Sequence, residues 1–172
     1  MKKIYLWISL IIVVVSVNIA KNVSGIYTYH AVYMYNFIKY IEWPVSKKEG
    51  PFVIGILGAS PIINELNDMA AKKKVGLRTI EVKKLSALNE AATCNILFIP
   101  ENSSARLEEA TENTRNKGVL IITETPGMVK KGSAINFIFV DGKLKFEINK
   151  NAASQSNLNI SSELFRLGIS VN

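Results

Sequence analysis

Cysteine and histidine are almost missing from this chain: Cys94 and His30 are the sole examples in 172 residues. A single thiol cannot close an internal disulfide. One histidine and one cysteine cannot assemble a zinc site. A Ser-His-Asp hydrolase would have to use His30, yet no G-x-S-x-G turn is present. Glycine-rich phosphate loops are missing too. The turn GILGASP (55–61) lacks the G-x-G-x-x-G order, and the following strand ends in Lys83-Lys84, not in an acid able to hold a ribose. In GMVKKG (127–132) the lysines precede the second glycine, which is the wrong order for a phosphate loop. No catalytic residue set, metal site or cofactor is expected.

Long apolar runs are missing except at the start. Lys2 and Lys3 precede an apolar run from Ile4 to Val17, broken only by Ser9 and Ser16. It is short of the ~20 residues of a comfortable membrane span. Residues 1–25 therefore read as an export signal cleaved after Ala20 or Gly25, with an uncleaved membrane anchor as the alternative. No cysteine follows the run, so a lipid-anchored form is not expected. What remains, 26–172, is one domain with enough apolar residues for its own core. The net charge of +7 falls to +5 when Lys2 and Lys3 leave. Outside the cytoplasm that surplus does not imply nucleic acid; it is a solvated basic surface, with anionic lipid or an acidic protein as weaker readings. Cys94 directly precedes the apolar run Ile96 to Ile99 and is expected to be buried.

The aromatic stretch IYTYHAVYMYNFIKYIEW (26–43) predicts a helix stopped by Pro44, with Tyr27, Ala31, Met34, Ile38 and Ile41 inward. His30 within it is read as structural. Strands are expected at Phe52–Leu57, Thr79–Val82, Ile96–Ile99 and Val119–Thr123, with helices from Pro61 to about Lys73 and over 103–116. Alternating apolar strands and helices predict an α/β fold, its mixed, mostly parallel sheet flanked by helices on both faces. Residues 134–148 form a β-hairpin about Asp141-Gly142. That turn pairs Ile135, Phe137 and Phe139 with Ile148, Phe146 and Leu144 on one face, and Asn136 with Glu147 on the other, read as a solvent-facing ladder. Two helical stretches follow, near 151–157 and 162–168, the second capped by Ser161 and turning Leu164, Phe165 and Leu167 back to the sheet.

Several blocks, taken in order, resemble the YfiR family: AVYMYNFIKYIEWP (31–44), FVIGILG (52–58), CNILFIP (94–100), GSAINFIFVDGKLKFEINKNAAS (132–154) and SSELFRLG (161–168). The similarity spans 27–168. It implies a small periplasmic protein, often dimeric and without enzymatic activity. It also implies a partner: an inner-membrane diguanylate cyclase or sensor kinase, held down by contact with its periplasmic part. The motif residues are Asn36, Phe37, Trp43, Pro44, Gly58, Phe146, Glu147 and Asn149. Phe37 and Trp43 read as core, Gly58 as a turn residue, and Asn149 as a helix cap. Candidate partner-binding residues are Glu147, Asn149, Glu163 and Phe165. Relatives often carry a cysteine at the place of Cys94, but this chain holds no disulfide partner for it. The alternative function is a small-anion sensor that uses the Gly58 strand-to-helix turn.

Overall fold

Three strands have no polar face. The computed structural model describes residues 25–171, and in it Phe52–Leu57 (β2), Ile96–Ile99 (β5) and Leu120–Thr123 (β6) are buried at every position. Only strands covered on both sides tolerate that, and they form the parallel centre of the sheet. The outer strands are Lys74–Val75 (β3), Arg78–Leu85 (β4), Ile135–Val140 (β7), Lys143–Asn149 (β8) and Ile169–Val171 (β10). The sheet order is β10-β8-β7-β6-β5-β2-β4-β3, antiparallel only at β7–β8 and β3–β4. Ile41–Glu42 (β1) and Asn159–Ile160 (β9) make a separate antiparallel ribbon. This is the mixed, mostly parallel α/β fold expected, in one domain.

The period of two along β2 divides the core. Phe52, Ile54 and Ile56 face one cluster with Met34, Phe37, Leu66, Phe137 and Phe146. Val53 and Leu57 face the other, with Leu97, Ile99, Leu107 and Ala110. The first face is covered by residues 25–37 (α1), by Ile62–Lys72 (α2), and by Lys150–Gln155 (α4) and Ser162–Leu167 (α5); Leu107–Thr114 (α3) covers the second. Cys94 is buried as expected. Burial also pushes its thiol pKa up, so it is a poor nucleophile. A Cβ at Gly55 would stand 2.6 Å from its sulfur, so glycine is needed for β2 to pass it.

The hairpin register is the expected one throughout: Ile135 opposite Ile148, Phe137 opposite Phe146, Asn136 opposite Glu147. Asp141 and Gly142 both take positive φ, at 51° and 71°, as a type I′ turn requires. Both expected caps are seen. Asn149 Oδ1 accepts from Ala152 N at 3.0 Å, and Ser161 Oγ accepts from Leu164 N at 3.4 Å. Asn149 also donates through Nδ2 to Val129 O at 3.0 Å. Asn149→Ala should therefore cost about 1–2 kcal/mol in urea unfolding, the sum of a cap and a neutral hydrogen bond.

Four expectations need correction. The first helix ends at residue 37, not 43. The chain passes through a 3₁₀ turn, Ile38–Tyr40, into β1, because pairing Ile41 with Ile160 satisfies its backbone better than another helical turn. The 103–116 helix opens as a 3₁₀ segment, Glu101–Arg106, before α3. The Asn136 side of the hairpin is not a solvent ladder, for Asn136 is fully buried. Leu167 does not fold back on the sheet but is 64% exposed. The expected export signal lies outside the described residues, apart from its last residue, Gly25.

Candidate functional site

In an open α/β sheet, ligands gather beyond the carboxyl ends of the strands where the order reverses. Here the chain runs from β2 to β4 on one side, then returns to β5 on the other. The residues leaving this edge are Gly58 after β2, Pro100-Glu101 after β5 and Glu124 after β6. α1 brings Tyr27 and His30 against them. Tyr27 donates its hydroxyl to Glu124 Oε1 at 3.2 Å, and the Glu101 backbone N–H donates to the same oxygen at 3.1 Å. His30 Nδ1 stands 3.7 Å from Glu124 Oε2, beyond hydrogen-bond reach. Its ring stacks on Phe137, with centroids 4.2 Å apart and planes 12° from parallel. These four polar residues form one end of a cleft of about 610 Å³, whose other walls are Ile26, Pro126, Phe137, Ile138 and Phe139.

Burial dominates the electrostatics. It lowers the His30 pKa to about 4, so the imidazole is neutral at neutral pH and its approach to Glu124 is not an ion pair there. Burial also raises the pKa of Glu124, and the neighbouring Glu101 carboxylate adds to that. Hydrogen bonds from the Glu101 backbone and Tyr27 pull the other way. Tyr27 is pushed up to about 12 by burial and by the charge of Glu124.

The Gly58 turn does not fit the anion reading. Gly58 has φ +83° and turns the chain as expected. The three first-turn N–H groups of α2 are already taken: Ile62 by Ser60 Oγ, Ile63 by Ser60 O and Asn64 by Pro61 O. Asn102 Nδ2 and Ser103 Oγ tie the same turn down through the carbonyls of Ala59 and Leu57. It is a closed joint, with no first-turn donor left to aim at an anion.

The motif residues separate into packing and surface. Phe37 is buried against Phe146, centroids 4.8 Å apart. Trp43 is buried edge-on to Phe52, and its Nε1 donates to Asn95 O at 3.3 Å. Pro44 packs so closely on Gly118 that a Cβ there would lie 2.5 Å from Pro44 Cγ. Asn36 Oδ1 accepts from Lys39 Nζ at 3.2 Å. Glu147 anchors a polar chain through the hairpin: Thr123 Oγ1 donates to Asn136 Oδ1 at 2.7 Å, and Asn136 Nδ2 donates to Glu147 Oε2 at 2.9 Å.

The model of the YfiR/HmsC-like family matches residues 27–169. This chain belongs to that family. YfiR/HmsC-like proteins are periplasmic regulators, generally non-enzymatic, that act on membrane signalling proteins. A comparison with curated proteins finds no match. Among solved structures, the chain is similar to the ABC domain in complex with L-Trp from Streptococcus pneumonia, at TM-score 0.50 and 16% identity. The match covers 70% of this chain but only 55% of that one, and at this identity it shows a shared α/β fold alone.

The candidate partner-binding residues do not share one face of the sheet: Glu147 lies on the Asn136 side of β8, whereas Glu163 and Phe165 lie on α5, which covers the Phe146 side. β10 lies beside β8 with Ile169 opposite Glu147, and α5 leads into β10 carrying Glu163 and Phe165. Asn149, two residues further along β8, spends both ends of its amide inside the fold. Sequence reasoning missed Glu101 and Glu124 as site residues and took His30 as structural only. The available signal was position: both acids directly follow the exits of apolar parallel strands.

Proposed function

We propose that this chain is a periplasmic repressor. It binds the periplasmic part of an inner-membrane signalling protein, a diguanylate cyclase or sensor kinase, and holds its output down without doing chemistry. The contact surface is the C-terminal strip of α5 and β10. The observation that supports this reading is the exposure of large apolar side chains there: Leu167 is 64% and Ile169 is 42% exposed, beside the half-buried Phe165 and the exposed Glu163–Arg166 pair. Among the described residues β10 is also an edge strand, with one side of its backbone open to pairing with another chain.

Deleting the gene should raise cyclic-di-GMP, or the output of one membrane kinase. In-cell cross-linking of the tagged protein should recover that same membrane protein. Leu167→Asp leaves the core untouched and should weaken the contact about tenfold or more, so that it complements the deletion poorly. Unchanged signalling in the deletion strain, or full complementation by L167D, would sink the assignment.

A further inference from the structure

Two independent observations meet at the carboxyl-edge cleft. The first is a set of unpaired polar atoms. Among the described residues, the buried side-chain atoms without a hydrogen-bond partner are Nδ1 and Nε2 of His30 and Oγ1 of Thr125. His30 lines the cleft at 2% exposure, and Thr125 stands between the cleft residues Glu124 and Pro126. Buried polar groups are nearly always partnered, so an imidazole with both nitrogens unpaired in a cleft wall is unusual for a purely structural packing. The second is a large aromatic left out of the core. Phe139 belongs to the apolar face of the hairpin by register, yet it is 56% exposed and forms a wall of the cleft.

We infer that this cleft is a binding site for a small organic amine: a protonated ammonium group at the Glu124–Glu101–His30 end and an apolar body along Phe137, Ile138 and Phe139. The charge of the ligand follows from the lining. Among the described residues two carboxylates and no lysine or arginine line the cleft, so an anion is repelled and a cation attracted. An ammonium donates hydrogen bonds, and the polar end offers the carboxylate oxygens of Glu124 and Glu101 to accept them. A metal ion fits less well. Among the described residues no three of His, Cys, Asp and Glu are grouped to hold one, and the remaining walls are apolar. The exposed ring of Phe139 covers the hydrocarbon part of the ligand. The volume, about 610 Å³, suits a small-molecule ligand.

Isothermal titration of the purified protein with phenethylamine and with 3-phenylpropionate compares one apolar body under opposite charges. The amine should bind at least about tenfold tighter than the acid. Glu124→Gln should weaken the amine by about tenfold, and so should Glu101→Gln, which sits at the exposed rim and keeps the test alive if the first variant folds poorly. Glu112→Gln, exposed on α3 and away from the cleft, should bind as the wild type does. Equal binding of amine and acid, no heat from either, or wild-type affinity in both cleft variants would overturn the inference. No partner protein is present in the titration, so its result stands apart from the repressor reading.

Discussion

Phe137→Ala should lower the unfolding free energy by about 3–5 kcal/mol, seen as an earlier urea midpoint at unchanged slope. The ring is 2% exposed in the middle of β7. It is where α1 docks. His30 stacks on it at 4.2 Å, Phe37 lies at 5.9 Å and Tyr33 meets it edge-on at 6.2 Å. Three turns of one helix thus rest on a single side chain, and neighbouring backbone in a parallel sheet cannot close the space its loss would leave. Phe139→Ala is the matched control. It removes the same ring two residues along the same strand from a position 56% exposed, and should cost under about 1 kcal/mol. Equal losses from the two substitutions would mean that α1 is held by something else.

Wild-type stability should fall as pH drops from 6.5 towards 4, and His30→Phe should remove much of that fall. The unfolded imidazole protonates near its ordinary pKa of 6.5, whereas the folded one stays neutral to about 4. Between those values the unfolded state binds the extra proton, so acid favours unfolding. A gap of this size corresponds to about 3 kcal/mol over the window. Glu124 works in the opposite direction. Its folded pKa is raised above 4.5, so the native state holds the extra proton, and stability is lost as pH rises from 4.5 through the folded value. Urea titrations of wild type, H30F and E124Q at half-unit pH steps separate the two limbs. A constant wild-type-to-H30F difference from pH 7 to pH 4 would rule out His30 as the cause.

The hairpin shows how much can be legible in the residues alone. Asp141-Gly142 dictates a two-residue turn, the alternation on either side dictates the face, and the register follows without any distant contact. The caps at Asn149 and Ser161 and the buried strands β2, β5 and β6 are local in the same sense. The first helix shows the limit. Its apolar period runs on past residue 37, but β9 captures Ile41, and nothing near residue 41 announces a partner at 160. The burial of Asn136 fails for a related reason: a polar residue between apolar neighbours reads as solvent-facing unless Thr123 and Ser133 are known to be beside it.

The same division holds for function. The residues alone determined the α/β core and the blocks that resemble one family, because each rests on residue type or on spacing within a few positions. The cleft was decided by tertiary structure. Tyr27 and Glu124 are 97 residues apart, and Glu101 and Glu124 are 23 apart. They meet because the sheet order places the exits of β5 and β6 side by side and α1 packs across them. Burial there sets the protonation of His30 and Glu124, and burial belongs to the assembled fold, not to any stretch of chain.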